Sequence, residues 1–65
     1  MRIEVNGEPH QITATTVAAA LAELGWGEAR VATALNGDFL PAARREAQVL
    51  RDGDRLEVLA PMQGG

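Results

Sequence analysis

The 65-residue chain reads as a two-layer α+β roll, one helix over one sheet. Three observations predict it. The chain opens on a hairpin signal, with Ile3 and Val5 alternating against Arg2 and Glu4 before Asn6-Gly7. A single stretch, Val17 to Leu24, carries apolar residues at the helical period. The other apolar runs are short and are parted by turn signals at Asn36-Gly37-Asp38 and Asp52-Gly53-Asp54.

Asn6-Gly7 suits a type I′ turn, whose two central residues need positive φ. Glu8 to Thr13 returns as the second strand, with Ile12 inward. Pro9 has no N–H to donate, so it fits only a sheet edge or a strand end. His10 has no acidic or cysteine residue beside it and reads as a surface or structural residue. Thr15 or Thr16 can cap the helix, the hydroxyl accepting from an otherwise orphan N–H. Neither has Glu or Gln three residues on, so no capping box forms. Val17, Ala20, Leu21 and Leu24 make one face of a helix of about ten residues. Gly25 ends it as a left-handed cap, and Gly27 keeps the exit flexible. Trp26 is expected to fold back over the helix end and close the core.

Val31 to Asn36 is the next strand, with Val31, Thr33 and Leu35 on one face and Ala32, Ala34 and Asn36 on the other. Phe39-Leu40 is a short apolar pair that Pro41 terminates. Pro41 to Gln48 admits one helical turn, with proline at its first position. Arg44-Arg45 reads as solvated surface rather than an anion site. Val49 and Leu50 return to the core. On the last strand, Arg55 to Ala60, Leu56 and Val58 face inward while Glu57 and Leu59 take the other face. Paired beside the first strand, this one would run parallel to it.

Composition narrows the chemistry. A chain of this length holds one domain with a small core. Without cysteine there is no disulfide, no thiol nucleophile and no cysteine zinc site, and the single histidine cannot build a His-rich metal site. A net charge of −3 argues against nucleic acid, whose phosphates call for a basic patch. Asp52-Gly53-Asp54 lacks the further oxygen ligands that a cation needs. No signal-peptide run and no stretch of transmembrane length is present, which places the expected protein in the cytoplasm, away from membranes. All six basic residues are arginines, so the chain offers no lysine for conjugation to itself.

The last residues draw the functional reading. Pro61 is a natural stop for strand pairing, dividing a domain over 1–61 from a tail over 62–65. Met62, Gln63, Gly64 and Gly65 then form a slim tail that can thread a narrow channel, since glycine has no Cβ. The backbone carboxylate of Gly65 becomes the candidate reactive group, and no side chain is a candidate catalyst. The competing reading is an inert terminus or linker.

Three stretches sharpen the match to a known family. They are Val31-Ala32-Thr33-Ala34-Leu35-Asn36-Gly37 running to Phe39-Leu40-Pro41, then Leu50-Arg51-Asp52-Gly53-Asp54-Arg55-Leu56-Glu57-Val58, then Gln63-Gly64-Gly65. Together they resemble the ThiS family of sulfur carriers in thiamine biosynthesis, across essentially the whole chain. Asn6-Gly7 and Thr16-Val17 also fit. Ala42 departs from the pattern where many members carry Arg or Lys, and Thr33 where valine is usual.

The resemblance implies a ubiquitin-like β-grasp fold, a mixed sheet of four to five strands on one main helix. It implies that an E1-like adenylyltransferase uses ATP to adenylylate Gly65, that a persulfide donor converts it to a thiocarboxylate, and that thiazole synthase takes the sulfur. The chain would be a carrier co-substrate rather than an enzyme, a monomer when free, with no stably bound cofactor. Its candidate docking residues are Leu59, Pro61, Met62 and Ala34. Leu59 is otherwise core on an imperfectly alternating strand. The competing functions are sulfur carriage for molybdopterin, tRNA thiolation or another metabolite, a ubiquitin-like protein modifier, and a plain interaction module.

Overall fold

The structure, a computed structural model, describes residues 1–27 and 29–60. Its elements in order are β1 (Arg2–Val5), β2 (Glu8–Gln11), α1 (Val17–Glu23), β3 (Ala32–Leu35), β4 (Asp38–Leu40), a 3₁₀ turn (Ala42–Arg44) and β5 (Arg55–Leu59). The five strands form one mixed sheet in the order β2-β1-β5-β3-β4. β5 lies between β1 and β3, parallel to the first and antiparallel to the second. This is the expected α+β architecture, one helix over one sheet.

Both hairpins turn on Asn-Gly. Asn6 and Gly7 have φ of 52° and 85°, and Asn36 and Gly37 have φ of 52° and 88°. These are the left-handed values that a type I′ turn requires, and Asn and Gly are the residues that adopt them at least cost. β2 is an edge strand, so the missing N–H of Pro9 breaks no ladder in the sheet interior. Regular pairing on β2 stops at Gln11, earlier than Thr13. Ile12 is still buried, tied by its N–H to the Met1 carbonyl at 2.8 Å.

Thr16 caps α1, its hydroxyl accepting from the Ala19 N–H at 3.2 Å. The helix has seven residues rather than about ten, because Leu24 is already its C-cap and Gly25 follows at φ 99°. Val17, Ala20 and Leu21 face the sheet, and Trp26 packs on the core margin as expected. Gly27 has a different role from the one expected. A Cβ there would come within 3.3 Å of the Ala22 Cα, so the residue allows a close chain return rather than a flexible exit.

The core joins Ile3, Val5, Ile12, Val17, Ala20, Leu21, Leu40, Leu50, Leu56 and Val58. Leu56 is wholly buried. Truncating such a residue to alanine costs about 2–5 kcal/mol, which is most of the stability a domain this small can hold. Val49 and Pro41 depart from their expected places. Val49 is 57 % exposed, since its bridge to Thr16 holds backbone to backbone and leaves the side chain outward. Pro41 precedes the 3₁₀ turn with extended φ −62° and ψ 148°, so it caps the turn instead of opening it.

Candidate functional site: the outer face of the last strand

β5 delivers the chain to its final residues, and two asparagines hold it. On the β1 side, backbone pairing with β5 ends at Val5 opposite Leu56, where β1 turns away. The Asn6 side chain takes over: Val58 donates its N–H to Asn6 Oδ1 at 2.8 Å, and Asn6 Nδ2 donates to the Val58 carbonyl at 3.1 Å. One amide thus supplies the donor and acceptor that a neighbouring strand would have supplied. On the β3 side, Arg55 donates its N–H to Asn36 Oδ1 at 2.9 Å, and Asn36 Nδ2 donates to Asp54 Oδ1 at 3.1 Å. The residues that shape the two hairpins therefore also clamp β5 from both sides.

Alternation sorts the outer face. Thr33, Leu40, Leu56 and Val58 are buried, so Ala32, Ala34, Phe39, Glu57 and Leu59 point away from the helix. Leu59 lies opposite Ala32, and Ala34 lies between Phe39 and Glu57. Leu59 is 67 % exposed and Phe39 71 %. That exposure removes the core reading of Leu59. Ala34 is half-buried on the same face, so the structure brings two of the expected docking residues together. Pro61, Met62, Gln63, Gly64 and Gly65 lie outside the described residues. Phe39 was legible only as half of an apolar pair; the pairing of Ala34 with Phe39 and of Thr33 with Leu40 is what splits that pair outward and inward.

His10 is half-buried on β2. Arg44 is exposed as expected, but Arg45 is not merely solvated. Its Nε donates to Thr33 Oγ1 at 3.0 Å and its Nη2 to the Val31 carbonyl at 2.6 Å, while the Thr33 hydroxyl donates to the Leu40 carbonyl at 2.8 Å. The departure at Thr33 thus anchors the turn after β4 to β3. Asp52 accepts from the Arg2 N–H at 2.7 Å, and Asp54 Oδ2 from the Arg51 N–H at 2.8 Å, both as turn residues. Among the described residues no group of His, Asp and Glu is placed to hold a metal ion. No described helix is long and apolar enough to cross a membrane.

One carboxylate has a clear electrostatic signature. Glu23, in the last turn of α1, accepts the Thr13 N–H at 3.0 Å, the Thr13 hydroxyl at 3.0 Å and the Ala14 N–H at 2.9 Å. The Thr13 backbone bond leads in holding its carboxyl below the usual glutamate range. The group pins the loop before the helix and lies away from β5.

A model described as the ThiS family matches residues 3–65. Among curated relatives, a sulfur carrier protein ThiS from Thermus thermophilus is 39 % identical over 61 residues, covering 94 % of this chain and 95 % of that one. A thiazole synthase from Paramagnetospirillum magneticum is 36 % identical over 66 residues, the match covering all of this chain but 20 % of the synthase. The crystal structure of a thiamine biosynthesis protein (ThiS) from Geobacter metallireducens superposes with a TM-score of 0.84 at 33 % identity, each chain covered in full. An NMR structure of a thiamine biosynthesis protein from the same organism gives 0.79 at 32 % identity, covering 100 % of this chain and 88 % of that one.

Proposed function

The chain belongs to the ThiS family, sulfur carriers of thiamine biosynthesis, and from this premise we propose that it carries its sulfur on the Gly65 carboxylate. The observation that carries the reading is the family match through residue 65, Gly-Gly included, on a chain with no cysteine. Sulfur cannot ride on a thiol that is absent, so it must ride elsewhere.

The chemistry follows from the weakness of a carboxylate as an electrophile. The Gly65 carboxylate attacks the α-phosphorus of ATP in an E1-like partner, releasing pyrophosphate and leaving an acyl-adenylate. A persulfide on a donor protein attacks the acyl carbon and expels AMP. A thiol then cleaves the resulting S–S bond, leaving the thiocarboxylate on Gly65 and a disulfide on the donor side. The thiocarboxylate sulfur is the soft nucleophile that thiazole synthase would draw on. The chain acts as co-substrate, supplying the carboxylate while its partners supply the catalysis and the ATP. Met62, Gln63 and Gly64 are the part that enters their sites. Leu59 and Ala34, with Pro61 and Met62 at the tail root, are the docking residues. The dependence on ATP and on persulfide and thiol chemistry places the reaction in the reducing cytoplasm.

The test is transfer of labelled sulfur from the loaded chain to thiazole. Label in the thiazole product, absent when a chain lacking Gly65 replaces it, supports the reading. Label that stays on the chain with active synthase, and moves instead to a molybdopterin or tRNA acceptor, would replace the pathway while keeping the carrier.

A further inference from the structure

Asn-Gly is the dipeptide most prone to spontaneous deamidation, because glycine has no Cβ to keep its backbone nitrogen from the asparagine side chain. The chain has two such pairs, Asn6-Gly7 and Asn36-Gly37, each in the turn of a hairpin with left-handed φ. A Cβ at Gly7 or Gly37 would meet no described residue within 4 Å, so both turns stand open. What separates them is how each amide is held. The Asn6 amide is locked at both polar atoms to one backbone unit, that of Val58, in partly buried surroundings. The Asn36 amide makes its bonds in solvent, accepting from the Arg55 N–H and donating to a side chain, Asp54 Oδ1. Water competes for the partners of an exposed bond, so such a bond holds a side chain more weakly than a partly buried one. Before it can react, the asparagine must leave its partners and turn its Cγ onto the nitrogen that follows. Asn36 does so at the lower cost.

We propose that Asn36 is a site of spontaneous deamidation and that Asn6, in the same dipeptide, is protected by its hold on β5. The Gly37 nitrogen attacks the Asn36 Cγ, forming an N–C bond and losing its proton to water. The Cγ–Nδ2 bond breaks and ammonia leaves, which closes a succinimide. Water opens the ring at either carbonyl, giving aspartate or isoaspartate, and is the only co-reactant. Aspartate puts a carboxylate where Nδ2 donated to Asp54, so a donor and acceptor 3.1 Å apart become two like charges. Isoaspartate adds a methylene to the main chain inside a two-residue turn, and that turn sets the register of β3 against β4. β4 lies at the sheet edge with β3 beside it. Conversion at Asn36 therefore loosens both the edge strand β4 and the start of β5.

The experiment holds the full-length chain at mildly alkaline pH, folded and in parallel unfolded in urea. Peptide mass mapping follows each asparagine for the gain equal to replacing an amide NH2 by OH. In urea the two sites are expected to convert at similar rates. In the folded chain Asn36 is expected to convert about tenfold faster than Asn6. Asn36→Asp is expected to lower the melting temperature at neutral pH, with the gap closing in acid as the facing carboxylates are protonated. Equal rates at the two sites of the folded chain, or faster conversion at Asn6, overturn the proposal. So does an Asn36 that stays intact in the folded chain while the unfolded chain converts. An Asn36→Asp chain that melts with the unaltered one at neutral pH overturns the loosening of β4 and β5.

Discussion

Asn6 and Val58, 52 positions apart in sequence, exchange two hydrogen bonds through a side-chain amide on one and the backbone on the other. The amide stands in for a strand where β1 has turned away, just before the chain leaves the sheet. Asn6→Gly keeps the left-handed turn backbone and removes only the amide. It is expected to cost about 1–2 kcal/mol in urea unfolding. It should also speed hydrogen exchange at the Val58 amide more than at Ile3. Equal exchange at the two amides would show that the amide does not hold β5.

Thr33 and Arg45 make a second test of long-range anchoring. Thr33→Val leaves Arg45 Nε and the Leu40 carbonyl without their hydroxyl partner at nearly constant volume. The expected cost is about 1–3 kcal/mol. Combined with Arg45→Met, the two changes should be non-additive by more than about 0.5 kcal/mol. Additive costs would mean that the guanidinium and hydroxyl act independently.

Glu23 predicts a pH signature. Its carboxyl is held low in the folded chain by the Thr13 and Ala14 donors. A depressed folded value means that the stabilisation is complete above the ordinary glutamate range and is lost as pH falls through the folded value. Glu23→Gln should therefore melt lower than the unaltered chain at neutral pH, and the gap should close toward strongly acidic pH. A gap that is constant with pH would contradict the assignment.

Leu59 separates docking from folding. It is two-thirds exposed and outside the core cluster, so Leu59→Asp should leave the melting temperature nearly unchanged. The same variant should bind the adenylating partner about tenfold more weakly. Full affinity would remove Leu59 from the docking surface.

Local rules made much of this fold legible. Asn6-Gly7 and Asn36-Gly37 specify their turns through φ alone, and the helix cap was legible as Thr15 or Thr16, of which the structure uses Thr16. The inward alternation of Leu56 and Val58 was readable for the same reason. What escaped depends on contacts between distant residues. Arg45 reaches Thr33 and Val31 across β3, and no spacing in sequence announces that. Val49 looked like core beside Leu50, but its isolated bridge to Thr16 turns it outward. Phe39 needed the β3–β4 register before its direction could be known. At the site, Leu59, Ala34 and Ala32 were readable from strand period, whereas the outward direction of Phe39 was not.

The most direct test is intact mass after the chain is incubated with an E1-like adenylyltransferase, ATP and a persulfide donor. Sulfur carriage predicts a gain equal to replacing one oxygen by sulfur, lost when Gly65 is deleted. No gain, while a control carrier in the same mixture is converted, would contradict it, and covalent adducts on other proteins would then point to a modifier.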